Sequence, residues 1–164
     1  MSLLKATSIT KQFELLALSL QLCSKSRITV IGIYRLPSAK KCVLNKLTDL
    51  IAIFTTPEVL IAGYFNLAWM LEADCLHNCC TNLNLTQLIT KPTRPNLKDS
   101  MKSTLIDLIF THIPEKYAGS GVFALDISDH CHIVCFRDIE MPRSKPRFIN
   151  KRNFKHFNER ALFW

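Results

Sequence analysis

Apolar and polar positions alternate along residues 14–23, ELLALSLQLC, where Leu16, Leu18, Leu20 and Leu22 are separated by smaller or polar residues. A period of two sends successive side chains to opposite faces of an extended chain, so this segment predicts a strand. After the polar Ser24 to Ser26, the β-branched and apolar run from Ile28 to Tyr34 predicts a second strand, and the short polar connection predicts an antiparallel hairpin. Pro37 and Ser38 mark a turn and a helix start, after which Val43, Leu44, Leu47, Leu50, Ile51 and Phe54 recur at helical spacing until Pro57. The run Val59 to Gly63 is short, wholly apolar and bounded by punctuation, as expected of a buried strand. A loop with Asn66 follows, then a helix from about Trp69 to Leu83. Further strands are expected at Leu85 to Thr90, Ser103 to Thr111, Val122 to Leu125 and Cys131 to Arg137. Helices and hairpin-linked strands therefore interleave, which predicts mixed α/β layers and not a pure parallel sheet.

Composition narrows this picture. A chain of 164 residues with 48% hydrophobic and 21% charged side chains can bury the core of one modest domain. Its 21 Lys and Arg against 13 Asp and Glu give a net charge of +8, which favours polyanionic partners. The opening residues lack the pattern of a secretory signal, and with 7 cysteines they suggest reduced thiols in a nuclear or cytoplasmic setting. No apolar run reaches the roughly 18 residues that span a bilayer, so no membrane partner is expected.

The candidate chemistry lies in a set of short segments that occur in order: IYRLPSA from Ile33, VLIAGYFN from Val59, KPTRPN from Lys91, STLIDLIFT from Ser103 and ISDHC from Ile127. Together they resemble the endonuclease/exonuclease/phosphatase superfamily, and most closely the endonuclease of LINE-type (non-LTR) retrotransposons. The resemblance covers nearly the whole chain. It implies an incomplete four-layer αββα sandwich of the deoxyribonuclease I-like type, in the α/β (α+β) class. Residues 1–140 would be the C-terminal two-thirds of that domain, and residues 141–164 a basic connector toward a reverse transcriptase.

The implied reaction is Mg²⁺- or Mn²⁺-dependent hydrolysis of a DNA phosphodiester, which needs an activated water, a cation and stabilisation of transition-state charge. By resemblance, Tyr34 hydrogen-bonds the scissile phosphate, and Asn66 helps to hold the phosphate and the attacking water. Asp107 orients His130, His130 and Ser128 contact the phosphate, and Asp129 lies beside the metal. A carboxylate bonded to an imidazole also has its own logic, since it fixes the tautomer and favours the protonated form near a phosphate.

Two departures predict an inactive site. The family's water-activating Asp is replaced by Tyr64, and a phenol with a reference pKa near 10 is a poor base at neutral pH. The family's N-terminal third, with its glutamate metal ligand, has no counterpart, and Glu14 does not match that glutamate because it opens a strand. The alternative is a non-catalytic remnant or gene-model fragment that binds nucleic acid weakly through its charge. Taken singly, each residue has a plainer reading: Tyr34 as a rim aromatic, Asn66 as a turn residue, Ser128 to His130 as a capped polar turn. Cys75, His77, Cys79 and Cys80, with Cys131, His132 and Cys135 later, match no zinc-ligand spacing, and Cys75 and Cys79, on one helix face near Leu76 and Leu83, are expected to be small buried residues. The basic tail, with Phe148, Phe154 and Phe157 interleaved, is expected to be a connector.

Overall fold

The structure, a computed structural model, describes residues 2–9, 12–23, 26–40, 48–49, 51–53, 58–71, 74–125 and 127–139. The expected helix between Lys40 and Phe54 falls largely outside these residues, although 48–49 and 51–52 are helical. The expected connector, 141–164, lies wholly outside them.

The strands are β1 (Ser2–Ile9), β2 (Phe13–Cys23), β3 (Ser26–Arg35), β4 (Val59–Tyr64), β5 (Thr86–Gln87), β6 (Asp107–Thr111), β7 (Tyr117–Phe123) and β8 (His132–Arg137), and residues Asp74–Asn82 form the helix α1. A six-stranded sheet runs in the order β1-β2-β3-β4-β6-β5, and β7 and β8 form a two-stranded sheet. β3 and β4 are parallel and every other pair is antiparallel, so the mixed arrangement expected from the sequence is present.

The alternation in β2 sorts the two faces of the large sheet. Phe13, Leu15 and Ala17 are buried, and register places them beside Arg35, Ile33 and Ile31 of β3 on one face. Ile61, Leu108 and Phe110 continue that face, and Leu76 and Cys80 of α1 belong to the same core cluster. The leucines that announced the strand point the other way, and Leu16 remains 45% exposed. On that second face β7 and β8 cover the β4–β6 end, where Val122, Ile133 and Cys135 pack against the core. The layers are therefore helix, large sheet and small sheet.

Two fixtures hold this arrangement. Gly63 lies where β4 runs tightest against β3: a Cβ there would meet the Ile33 backbone, 2.7 Å from its carbonyl carbon and in collision with its oxygen. Glu58, 1% exposed, precedes β4 and receives Arg137 Nε at 2.6 Å and Nη2 at 2.7 Å, Lys116 Nζ at 3.2 Å and the Tyr117 hydroxyl at 3.2 Å. That carboxylate ties the small sheet to the large one.

Several boundaries differ from the sequence expectation. β1 was not anticipated. The helix expected from Trp69 begins at Asp74, because Trp69 N–H is bound to the Leu105 carbonyl at 2.9 Å and Met70 and Leu71 face solvent. The strand expected over Leu85–Thr90 shrinks to β5, beyond which the Gln87 side chain bonds both backbone groups of Ile89. The strand expected from Ser103 begins at Asp107, and Thr104 makes an isolated bridge with Arg94. Cys79 is buried as expected and Cys80 is buried beside it, its thiol pushed up to about 12 by burial, but Cys75, also expected to be buried, is exposed. Among the described residues, no helix is long and apolar enough to cross a membrane.

Candidate functional site

Strand register assembles the site. Tyr34 near the end of β3 pairs with Tyr64 at the end of β4, and Tyr64 pairs with Asp107 at the start of β6. Residues paired across a sheet share a face, so these three side chains form a row on the face that carries β7 and β8. The rings of Tyr34 and Tyr64 are 5.8 Å apart and tilted by 34°.

The loop between β7 and β8 brings His130 onto that row. His130 Nδ1 lies 2.9 Å from Asp107 Oδ2, with side chains 24% and 17% exposed. An ionised carboxylate can only accept, so Nδ1–H donates and the tautomer is fixed with Nε2 facing away from Asp107. The Tyr64 ring stands edge-on to the imidazole, centroids 4.9 Å apart at 85°. Burial, the largest influence, pushes the Tyr64 phenol up; Arg94 opposes this, while Asp107, Tyr34 and Asp129 add to it. The phenol therefore stays protonated at neutral pH and is a donor, not a base.

Thr93, fully buried in the KPTRPN segment, was assigned no role from sequence. Its hydroxyl accepts from Ile106 N–H at 3.2 Å and Asp107 N–H at 3.1 Å, and donates to Asp107 Oδ2 at 2.6 Å. It thus fixes the carboxylate that fixes the histidine. The signal available was a small polar residue between two prolines, which does not by itself point to a buried position.

Arg94 was also unassigned. Its Nε and Nη2 reach Asp129 Oδ2 at 3.1 and 2.9 Å, in an exposed pair. Desolvation, the largest single influence, pushes the Asp129 carboxyl up; the hydrogen bond and charge of Arg94, with the charge of His130, hold it below its ordinary value. Ser128 Oγ accepts from His130 N–H at 3.1 Å and lies 3.4 Å from Asp129 Oδ1, so it shapes the turn that presents the histidine.

Asn66, two residues past β4, takes a left-handed conformation with φ 51°. Its Nδ2 donates to the Arg35 carbonyl at 2.6 Å, and Arg35 Nη1 donates to the carbonyls of Phe65 at 3.3 Å and Asn66 at 3.2 Å. Arg35 Nη2 bonds the Ala39 carbonyl. This guanidinium is 2% exposed, meets backbone carbonyls and no described carboxylate, and has its pKa lowered by burial. It locks the Asn66 turn and leaves a buried positive charge beneath it.

The donor set does not fit the divalent cation expected from sequence. Among the described residues, no three His, Cys, Asp or Glu side chains are grouped to hold a metal. Mg²⁺ can be held by one or two carboxylates with waters. Here, however, Asp129 is paired with Arg94, and Asp107 with His130 and Thr93. A cation at Asp129 would have to share the carboxylate with the guanidinium that holds Oδ2.

The fold is that of the endonuclease/exonuclease/phosphatase, or deoxyribonuclease I-like, proteins. Among solved structures the chain is similar to the endonuclease domain of TRAS1, a telomere-specific non-LTR retrotransposon, at TM-score 0.64 and 16% identity over 80% of this chain and 66% of that one. An endonuclease/exonuclease/phosphatase family protein from Leptotrichia buccalis gives TM-score 0.63 and 13% identity over 77% and 54%. The 3′ phosphatase NExo from Neisseria, bound to a product DNA hairpin, gives TM-score 0.56 and 17% identity over 78% and 65%. The chain thus spans a little over half to two thirds of the length of these structures. No protein-family model and no curated protein matches it.

Proposed function

We propose that this chain is a retrotransposon-type endonuclease domain whose site still holds a nucleic-acid phosphate but does not hydrolyse it. The observation that carries this reading is the Tyr64 ring, 4.9 Å from the His130 ring, where the resemblance requires the base that activates water. Loss of a general base removes a factor of about 10² to 10⁴ in rate. The Mg²⁺ or Mn²⁺ of the family would be held at Asp129, which Arg94 already neutralises. In its imidazolium form His130 donates Nε2–H to a phosphate oxygen, with Asp107 behind it as the orienting acid. Tyr34, Asn66 and Ser128 complete the phosphate-binding set. On this reading residues 1–140 form the domain, residues 141–164 lead to a reverse transcriptase, and the DNA-binding chain works in the nucleus or cytoplasm.

A supercoiled-plasmid assay with Mg²⁺ and, separately, Mn²⁺ tests the proposal. The expected result is no nicking above that of His130→Ala. Nicking by the unaltered chain that disappears in His130→Ala would overturn it.

A further inference from the structure

In the place of a carboxylate, Tyr64 adds something as well as removing it. Its half-buried ring lies beside that of Tyr34, which is 42% exposed, so the end of the sheet presents one exposed ring backed by a second. Arg94 is the cation with the largest charge influence on Tyr64, and its guanidinium is half exposed at the same edge. With Nε and Nη2 committed to one oxygen of Asp129, the guanidinium, which has five N–H donors, retains others for a phosphate oxygen. The buried Arg35 charge adds positive potential under the neighbouring turn. Rings next to guanidinium donors suit a nucleotide, because every base has a π-face and every link a phosphate. In a duplex the bases are paired and stacked on one another, so their faces cannot reach such rings unless a nucleotide is extruded.

We propose that the site binds an unpaired nucleotide of a single-stranded nucleic acid, its base on the Tyr34 and Tyr64 rings and its phosphate at the Arg94 and His130 edge, without a divalent cation. This rests on the phosphate-binding reading above and names the ligand class that the rings select. It also assigns Arg94 the charge-neutralising part that a metal would otherwise play at Asp129.

Fluorescence anisotropy with the full chain, a labelled oligothymidylate and EDTA tests it, against a blunt duplex of the same length. The single strand is expected to bind more tightly than the duplex, and adding Mg²⁺ is expected not to tighten it. Tyr34→Leu and Tyr64→Leu are each expected to weaken single-strand binding by roughly tenfold, while Tyr34→Phe, which keeps the ring and loses only the hydroxyl on the phosphate, is expected to weaken it less than Tyr34→Leu does. Arg94→Gln is expected to weaken binding and to lower the salt dependence by about one phosphate contact. Thermal melts of each variant separate loss of binding from loss of folding. Equal affinity for duplex and single strand, indifference to Tyr34→Leu, or a requirement for Mg²⁺ would each overturn the proposal. The first two outcomes are what charge alone would give. Plasmid nicking, by contrast, would sink the claim of inactivity and leave this binding result standing.

Discussion

Thr93 shows how much one buried hydroxyl can organise. It accepts from two backbone N–H groups and donates to Asp107 Oδ2, so the carboxylate has a single position from which to hold His130. Replacing it by valine preserves the shape but strands those N–H groups away from water, at about 1–3 kcal/mol for each unsatisfied group. Thr93→Val is therefore expected to lose about 2–4 kcal/mol in urea unfolding, and Thr93→Ser, which loses a methyl and keeps the hydroxyl, about 1 kcal/mol. Equal losses for the two variants would show that packing, and not the hydrogen bonds, is what Thr93 provides. The neighbouring arginines illustrate opposite solutions for a cation. Arg94 is exposed and paired with a carboxylate, whereas Arg35 is buried, its terminal nitrogens on the carbonyls of Ala39, Phe65 and Asn66 and its Nε without a partner among the described residues.

At the scale of elements, β4 is the piece on which the site depends. Gly63 stands one residue before Tyr64, at the point where a side chain would drive into the Ile33 backbone. Overpacking of this kind usually costs about 1–3 kcal/mol, and a rigid backbone partner puts Gly63→Ala at or above the upper end. The β3–β4 separation would have to widen there, pulling the Tyr34 and Tyr64 rings apart. Calorimetry or urea unfolding of Gly63→Ala checks this, and a loss under about 1 kcal/mol would mean that the strands are not so close. The existence of β4 was legible in the sequence because a short apolar run between punctuation has few other uses. The β2–β3 hairpin was legible for the related reason that alternation and a polar turn agree. Tyr34, Tyr64 and Asp107 were singled out through the resemblance of their segments to the family, while the strand expected around Asp107 begins only at that residue. Thr93, Arg94 and Arg35 were not, since their partners lie 14, 35 and 31 residues away and only the fold brings them together. The short segments failed for local reasons: β1, SLLKATSI, has no clean period, and β5 ends where the Gln87 side chain takes over the bonds of the ladder.

For the molecule as a whole, the join between the two sheets carries a pH-sensitive charge network. Glu58 is buried beneath Arg137, Lys116 and Tyr117, so both sheets contribute to one charge network. Burial, the largest single influence, pushes the Glu58 carboxyl up, but the hydrogen bonds and charges of Arg137 and Lys116 together bring it below its ordinary value. A carboxyl whose folded pKa lies below its unfolded one stabilises the fold above the unfolded value, about 4.3, and this contribution is lost as pH falls through the folded value. Urea midpoints are therefore expected to vary little between about pH 7 and 5 on account of Glu58, and to fall steeply below about pH 4. Removing the carboxylate alone leaves Arg137 buried without its counter-ion, so Glu58→Gln is expected to cost about 3–5 kcal/mol at neutral pH and to flatten the acid limb. Replacing both partners, as in Glu58→Met with Arg137→Met, removes the stranded charge and is expected to recover much of that loss. An acid limb that survives unchanged in Glu58→Gln would assign the pH dependence to other carboxylates.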